Sequence, residues 1–504
     1  MRRLMTFAVA CVLALAVVPS AQQPDALKAA ADALGAAKIN TLQYTGSGAN
    51  FSVGQNFTPN EPWPRVTVKN YTASINYGTG SMRQELLREM GPVMPRGGGA
   101  PFTGEQRQIQ VVSGNDAWNV PAPPPGAPPA GGGGRAGGAP PAAPQPGAAV
   151  ERMLALWATP QGFVKAAMAT NATTRKANGG TEVSFTVGGK YKMTGILNAQ
   201  NQVERVQTWM DQPIVGDMLV ETTYSGYKDF GGVMFPSHIV QKQDGFPSLD
   251  LTIASVTANP AVGITVPDNV RGAQPPPVRV DSAKLADGVY YLTGGTHHSL
   301  VVEMKDHIVL VDTPNDAPRA LAVIAKTKEV VPNKPIRYIV TSHHHWDHLG
   351  GIRSAIDEGA TIVTHQTNKA FLERVAKTPH TINPDRLSTS KKAVKIQTVG
   401  DMAKLTDGTR TIELYNLTGY EHTRDMLVVY LPKEKILAEP DAFTPPATPT
   451  TPLATSAVPY AAALYDNIQR RKLDVKTIAP FHGGRMTDVP ELAKAAGKSS
   501  TATQ

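Results

Sequence analysis

Cysteine is nearly missing from this chain. Cys11 is the only one in 504 residues, so no intrachain disulfide can staple the fold. Aromatics make up only 6% of the chain, whereas 45 Gly and 42 Pro signal substantial loop and linker content. Long apolar runs are scarce as well. Residues 4–18 form the one sizeable example, and it falls short of the ~20 residues a spanning helix needs. Strong charge of one sign is also lacking. A formal net charge of +8 is a small excess for this length, and basic clusters such as Lys391-Lys392 and Arg470-Arg471-Lys472 are short and not interleaved with aromatics. These absences argue against a stable membrane span and against a nucleic-acid partner.

The apolar run sits behind Arg2-Arg3 and ahead of Pro19-Ser20-Ala21-Gln22. A short basic start, an apolar core and a small-residue end describe a signal peptide over residues 1–21, with an uncleaved anchor as the alternative. Cys11 lies inside it, and Ala8-Val9-Ala10 before it makes a poor lipoprotein box. The expectation is an exported protein, periplasmic or secreted, whose mature form has no cysteine.

Residues 25–270 have the texture of a β-rich accessory domain. Apolar and polar residues alternate around Val66, Ile109, Val183, Tyr191, Met218 and Leu249, with turn signals such as Ser113-Gly114-Asn115-Asp116 and Gly188-Gly189 between the runs. That pattern predicts a mostly antiparallel sheet, with helices over 25–37, at 149–157 and around 162–168. Residues 121–147 are almost wholly Pro, Gly and Ala, with Arg135 as the single charge. Such a segment buries too little apolar surface to offset ordering entropy, so a disordered loop is expected over 121–147. A linker is expected over 271–280, stiffened by Gln274-Pro275-Pro276-Pro277, and a second domain over 281–495.

Chemistry concentrates in His343-His344-His345-Trp346-Asp347-His348. The apolar run Ile336-Arg337-Tyr338-Ile339-Val340 precedes it and Leu349-Gly350-Gly351 follows, which reads as a buried strand ending in a loop, then a helix. Imidazole nitrogen and carboxylate oxygen are ligands that Zn2+ and similar metals prefer. The plain alternative, a solvated polar loop, has no need of so many such groups together.

His-x-His-x-Asp-His after a strand resembles the metallo-β-lactamase superfamily of metal-dependent hydrolases, and the resemblance runs over roughly 281–489. Val309-Leu310-Val311-Asp312-Thr313 looks like its early strand, whose Asp312 shapes the site without binding metal. Leu417-Thr418-Gly419-Tyr420-Glu421-His422-Thr423 looks like its third motif, placing His422 on the first metal. Ile436-Leu437-Ala438-Glu439-Pro440-Asp441 matches the strand whose closing Asp441 bridges two metals. Ala479-Pro480-Phe481-His482-Gly483-Gly484 matches the last motif, giving His482 to the second metal. The fold implied is α+β: a C-terminal αβ/βα metallo-β-lactamase sandwich preceded by a mostly antiparallel β accessory domain.

Seven protein ligands exceed what one tetrahedral ion accepts, so the resemblance implies two divalent metal ions, Zn2+ first with Fe2+ or Mn2+ as alternatives. His343, His345 and His422 would hold one; Asp347, His348 and His482 the other; Asp441 would lie between. Cations about 3.5–4 Å apart share a water and lower its pKa toward neutrality. Asp347 is the expected catalytic residue, orienting the nucleophile and carrying a proton. The expected reaction is attack on an ester, thioester or lactone carbonyl of a small molecule, because Asp441 resembles the bridging carboxylate of thioester hydrolases and lactonases. Hydrolysis of β-lactams is the alternative. A second alternative is a lipid-binding protein with an idle hydrolase domain. The segment from Tyr224 to Pro236 resembles part of the curved half-barrels of periplasmic lipoprotein carriers (LolA-like), which implies lipid contact; a sheet without ligand stays equally open.

Other residues receive plainer readings. His344 alternates with the ligands and points away from them. Trp346 packs on the loop, with substrate binding as the alternative. His297 and His298 are polar turn residues at the pocket edge, with substrate contact as the alternative. His365 lines the pocket or is hydrogen-bonded within the fold. Tyr420 is a packed aromatic, with an oxyanion role as the alternative. His238, His307 and His380 have no constellation around them and are read as structural or surface residues. The Pro/Thr-rich residues 444–459 form a pocket wall or a simple surface connection.

Overall fold

The computed structural model describes residues 24–91, 95–121, 141–177 and 179–498. The expected signal peptide, Cys11 and residues 122–140 of the expected loop lie outside the described residues. Among the described residues no helix is long and apolar enough to cross a membrane.

The N-terminal half is one 13-stranded sheet whose neighbouring strands all pair antiparallel. Side-chain alternation gives it one buried face. In the strand Arg65–Asn76 the buried residues are Val66 and Val68, then Tyr71, Ala73 and Ile75. The change from even to odd positions falls at a register shift between Val68 and Asn70, where an extra residue reverses which side chains face inward. Helices Pro24–Ala33, Ala149–Ala158 and Pro160–Met168 cover that face, packing Leu27, Leu34, Leu154 and Phe163 into one core with Leu42, Tyr44, Phe185 and Met193. The first helix stops short of the expected residue 37. Gly35 adopts φ 63°, a left-handed turn that an α-helix cannot continue through.

The expected disorder over 121–147 is too long at its C-terminal end. Ala143–Pro144 pairs with Trp118 and Asn119, Pro146–Ala148 forms a short 3-10 turn, and the Ala142 carbonyl accepts a bond from Asn269. Backbone hydrogen bonds to a sheet edge order this stretch where its side chains could not. Under the helix Ala149–Ala158 lies a cavity of about 250 Å3. Its lining mixes Gln84, Gln108 and Gln243 with Leu86, Leu154 and Met210.

Two sheets stacked face to face form the C-terminal half. One has seven strands, antiparallel from Asp281–Ala286 through Ile308–Val311 and parallel onward to Lys395–Val399. The other has five, from Met402–Thr406 to Thr477–Pro480. Leu300, Val302, Val309, Val311 and Val340 meet Leu414, Leu427 and Val429 between the sheets. Their alternate neighbours Val301, Leu310 and Ile339 pack outward under helices, with Val323, Ile352 and Leu372. A strand covered on both faces is apolar throughout, which is why Ile308–Val311 reads as a continuous run.

Among the described residues the halves touch in two places. Ile214, Val215 and Met218 join the apolar core beneath the C-terminal helices. Around them Asp217 accepts the Thr381 and Ile382 N–H groups, and Arg374 pairs with Asp244 at 3.0 Å. The second contact lies over the ligand loops.

Candidate metal centre

Strands Ile308–Val311 and Ile336–Val340 run parallel, so both release their next residues at the same edge. Asp312 emerges from the first, fully buried and at φ 59°. That left-handed backbone is unfavourable for a non-glycine residue. It lets the carboxylate take the Ser342 N–H and hydroxyl at 2.7 Å each and meet His348 Nδ1 at 2.9 Å. The loop from the second strand leads through His343 and His345 into the short helix Trp346–Leu349, which carries Asp347 and His348. Glycine is required just beyond: a Cβ at Gly350 would lie 1.8 Å from the Asn315 carbonyl oxygen, and one at Gly351 would lie 2.1 Å from Ala320.

Three further loops bring in the distant residues. His422 comes from the connection before Leu427–Leu431, Asp441 from the end of Ile436–Glu439, and His482 from the end of Thr477–Pro480. Asp441 is the hub. Its Oδ2 lies 3.1 Å from His343 Nε2, 3.1 Å from His348 Nε2 and 3.2 Å from His422 Nε2. Its Oδ1 lies 2.8 Å from His482 Nε2. All seven residues named from the sequence therefore fall into overlapping clusters with metal-ligand spacing: His343, His345 and His422; His343, His348 and Asp441; and Asp347, His348 and His482 together with His297.

The donor atoms fit a metal. His343 Nε2, His345 Nδ1, His422 Nε2 and Asp441 Oδ2 are buried and make no hydrogen bond. Leaving such atoms unpaired costs about 1–3 kcal/mol each, a penalty that coordination to a cation removes. Their orientation is held from behind, since His348 Nδ1 meets Asp312, His345 Nε2 meets the Asn56 carbonyl at 2.8 Å, and His422 Nδ1 meets the Gly98 carbonyl. Burial lowers the pKa of His343 to about 4 and that of His345 well below its usual value, which keeps both neutral as ligands must be. Burial alone would lower His348 as well, but Asp441 and Asp312 overcome it and favour positive charge there. Burial opposes ionisation of Asp347 and Asp441, yet the surrounding imidazoles hold both carboxyls well below the ordinary range. Glu439, beneath Asp441, goes the other way: burial pushes it up to about 8.

The remaining histidines separate cleanly. His297, expected only at the pocket edge, sits 3.2 Å from Asp347 Oδ2, its backbone bridged to His482. Arg319 holds that loop by donating to the Thr293 and His297 carbonyls. His298 turns away to the Gly483 carbonyl. His344 points from the cluster to buried Asp425 at 2.8 Å, which Asn368 also contacts at 2.6 Å. His365 bonds Thr367 and stands outside the clusters. Tyr420 packs between His422 and Tyr460 with its hydroxyl buried. Trp346 packs edge-on against Trp63 of the N-terminal half. No local sequence signal pointed to Asp425, Gln55, Asn56 or Gly98, because their relation to the histidines exists only in the folded chain.

A cavity of about 270 Å3 opens over Asp347, His422, Asp441 and His482. Phe443, Leu453, Ala457 and Tyr460 form one wall, so residues 444–459 border the site.

Residues 292–482 match the family model of the metallo-beta-lactamase superfamily. The C-terminal half is a metallo-β-lactamase superfamily domain. Solved structures similar to it include a metallo-beta-lactamase from Pontibacter korlensis, at 22% identity and a TM-score of 0.34, covering 44% of this chain and 98% of that one. DIM-1 metallo-beta-lactamase is 20% identical with a TM-score of 0.33 and the same coverage. FIM-1 from Pseudomonas aeruginosa, in its mono-zinc form, is 22% identical with a TM-score of 0.32, covering 45% of this chain and 96% of its own. No curated protein matches the sequence significantly. The family match falls on the half whose clustered imidazoles and carboxylates suit metal binding.

Proposed function

We propose that this protein is an exported, dinuclear metal-dependent hydrolase acting on ester, thioester or lactone carbonyls. The carrying observation is the convergence of His343, His345, Asp347, His348, His422 and His482, from three loops, about the Asp441 carboxylate of a fourth. When bound there, divalent cations would acidify a water and polarise the carbonyl under attack. The protein supplies the rest. Neutral, buried His343 and His345 offer lone pairs in fixed directions. Asp347, with its side chain about 37% exposed, keeps one oxygen on His297 and the other on Gln55, and so is placed to accept a proton from the attacking water. Phe443, Leu453 and Ala457 give the cavity an apolar wall suited to the acyl part of a small substrate. Export is supported by the basic, apolar and small-residue order of residues 1–21.

The test is elemental analysis of purified protein alongside turnover of lactones, esters, thioesters, phosphoesters and β-lactams. Two ions per chain with turnover of a lactone, ester or thioester is the expected result. A metal-free protein, or one that opens only β-lactams, overturns the reading. Export is checked by cell fractionation with N-terminal sequencing, where recovery in the cytoplasm with an intact Met1 would sink it.

A further inference from the structure

The metallo-β-lactamase half does not complete its own site. Two loops of the accessory sheet cross onto it: residues 52–64, between strands Thr41–Phe51 and Arg65–Asn76, and residues 95–104, ahead of strand Glu105–Ser113. Their contacts fall on the ligands themselves. His345 Nε2 meets the Asn56 carbonyl oxygen at 2.8 Å, and His422 Nδ1 meets the Gly98 carbonyl oxygen. The Gln55 side-chain amide donates to Asp347 Oδ1 at 2.9 Å. Nearby, Arg424 N donates to the Phe57 carbonyl at 3.0 Å, and Gly97 N to the Glu421 carbonyl at 2.8 Å.

A carbonyl oxygen carries no proton, so in both imidazole contacts the ring nitrogen must donate. Neutral imidazole has one donor and one lone pair. Donation from His345 Nε2 leaves the lone pair on Nδ1, and donation from His422 Nδ1 leaves it on Nε2. Those are the two buried atoms without a hydrogen bond that face His343. The accessory loops thereby choose the tautomer of two of the three ligands in the first cluster. They also reach the cavity, whose lining includes Gln55, Gly99 and Ala100 together with Phe443 and Leu453.

We propose that the accessory domain is an integral part of the metal centre: its loops at 52–58 and 96–100 set the metal-binding tautomers of His345 and His422, and Gln55, Gly99 and Ala100 govern which acyl groups enter. The selectivity arm rests on the hydrolase reading above; the tautomer arm needs only metal binding. Gln55 and the two carbonyls are positioning groups, acting through Asp347 and the histidines.

The full-length protein tests this. Gly97 sits at φ +88°, where a Cβ would come within 2.5 Å of the Gln55 carbonyl oxygen, so Gly97→Ala drives the two loops apart without touching a ligand. Gly97→Ala is expected to weaken Zn2+ binding at one site tenfold or more in a chelator competition, and to alter the visible absorption bands of the Co2+-loaded protein. Should Gly97→Ala fail to fold, 15N imidazole shifts of the metal-free wild type decide the tautomer arm, and a proton on His345 Nδ1 or His422 Nε2 overturns it. Gln55→Ala tests the selectivity arm. It is expected to retain two ions while changing the ratio of kcat/KM between a short and a long acyl ester at least fivefold. Wild-type Zn2+ affinity and Co2+ bands in a folded Gly97→Ala protein overturn the tautomer arm. An unchanged selectivity ratio in Gln55→Ala overturns the other. Wild-type protein that binds two ions yet hydrolyses no acyl substrate refutes the hydrolase reading and with it the selectivity arm, while the Zn2+ and Co2+ measurements still decide the tautomer arm.

Discussion

At the scale of single residues, the centre is an exercise in directing lone pairs. Asp441 touches four histidines, and His348 lies between Asp441 and Asp312, so each is irreplaceable by a neutral, smaller side chain. His348→Ala and Asp441→Ala are each expected to lower bound metal below two ions and reduce turnover to background, with far-ultraviolet circular dichroism unchanged. Metal content and activity at the wild-type level in both would exclude a dinuclear centre. His297 is the residue whose importance emerged only in the fold. Loss of its contact to Asp347 in His297→Ala is expected to lower kcat/KM or metal affinity by roughly 10–100-fold, as for other groups that orient a ligand. Steady-state kinetics with metal titration read this out, and an unperturbed variant would return His297 to a turn role.

Among the elements, the helices are held to the C-terminal sheets by more than apolar contact. Arg353, on helix Ile352–Glu358 and only 4% exposed, forms a two-pronged pair with Asp385 at 2.5 and 3.0 Å. Burial alone would raise the Asp385 carboxyl, but Arg353 and Ser388 outweigh it and hold it well below the ordinary range. A depressed carboxyl stabilises the fold above its unfolded pKa of about 3.9 and ceases to do so as pH falls through the folded value. Thermal unfolding of the wild type should therefore weaken below about pH 4. Asp385→Asn should be less stable at pH 6 by about 1.5–3 kcal/mol, the range for hydrogen bonds to charged groups at a partly buried site, and should lose part of that acid dependence. An identical pH profile in the variant would show that the pair contributes nothing. At the accessory sheet edge, Asn119 pairs with Ala143, so joining Pro121 to Pro141 leaves a four-residue hairpin connection. Deleting residues 122–140 is expected to shift Tm by no more than about 2 °C, which is roughly 0.5 kcal/mol. Removal through residue 147 should cost more, because it takes the paired strand and the turn leading into Ala149–Ala158. Differential scanning calorimetry of both deletions separates these outcomes.

For the molecule as a whole, metal binding and interdomain contact should be linked. Ions at a thousandfold excess over their Kd stabilise a fold by about 4 kcal/mol per site. Chelation is thus expected to lower the unfolding temperature of the C-terminal half, and to expose Trp346 where it packs on Trp63. Tryptophan fluorescence during chelator titration checks the second effect. No spectral change on metal removal would mean that the loop interface does not sense the centre.

The ligand loops could be read from the linear chain because three of them follow short, mostly apolar strands, Ile336–Val340, Ile436–Glu439 and Thr477–Pro480, whereas Thr411–Asn416 ahead of His422 alternates. The same physics revealed the alternating accessory sheet and its three helices, since periodicity records which side faces a core. The register shift at Val68, the helix stop at Gly35 and the ordered residues 141–148 depended on backbone geometry and pairing partners that composition does not encode. What no local pattern could announce is the meeting of the halves. Asn56 and Gly98 act through main-chain carbonyls, which every residue possesses, so their roles came into being only when tertiary packing brought them to His345 and His422.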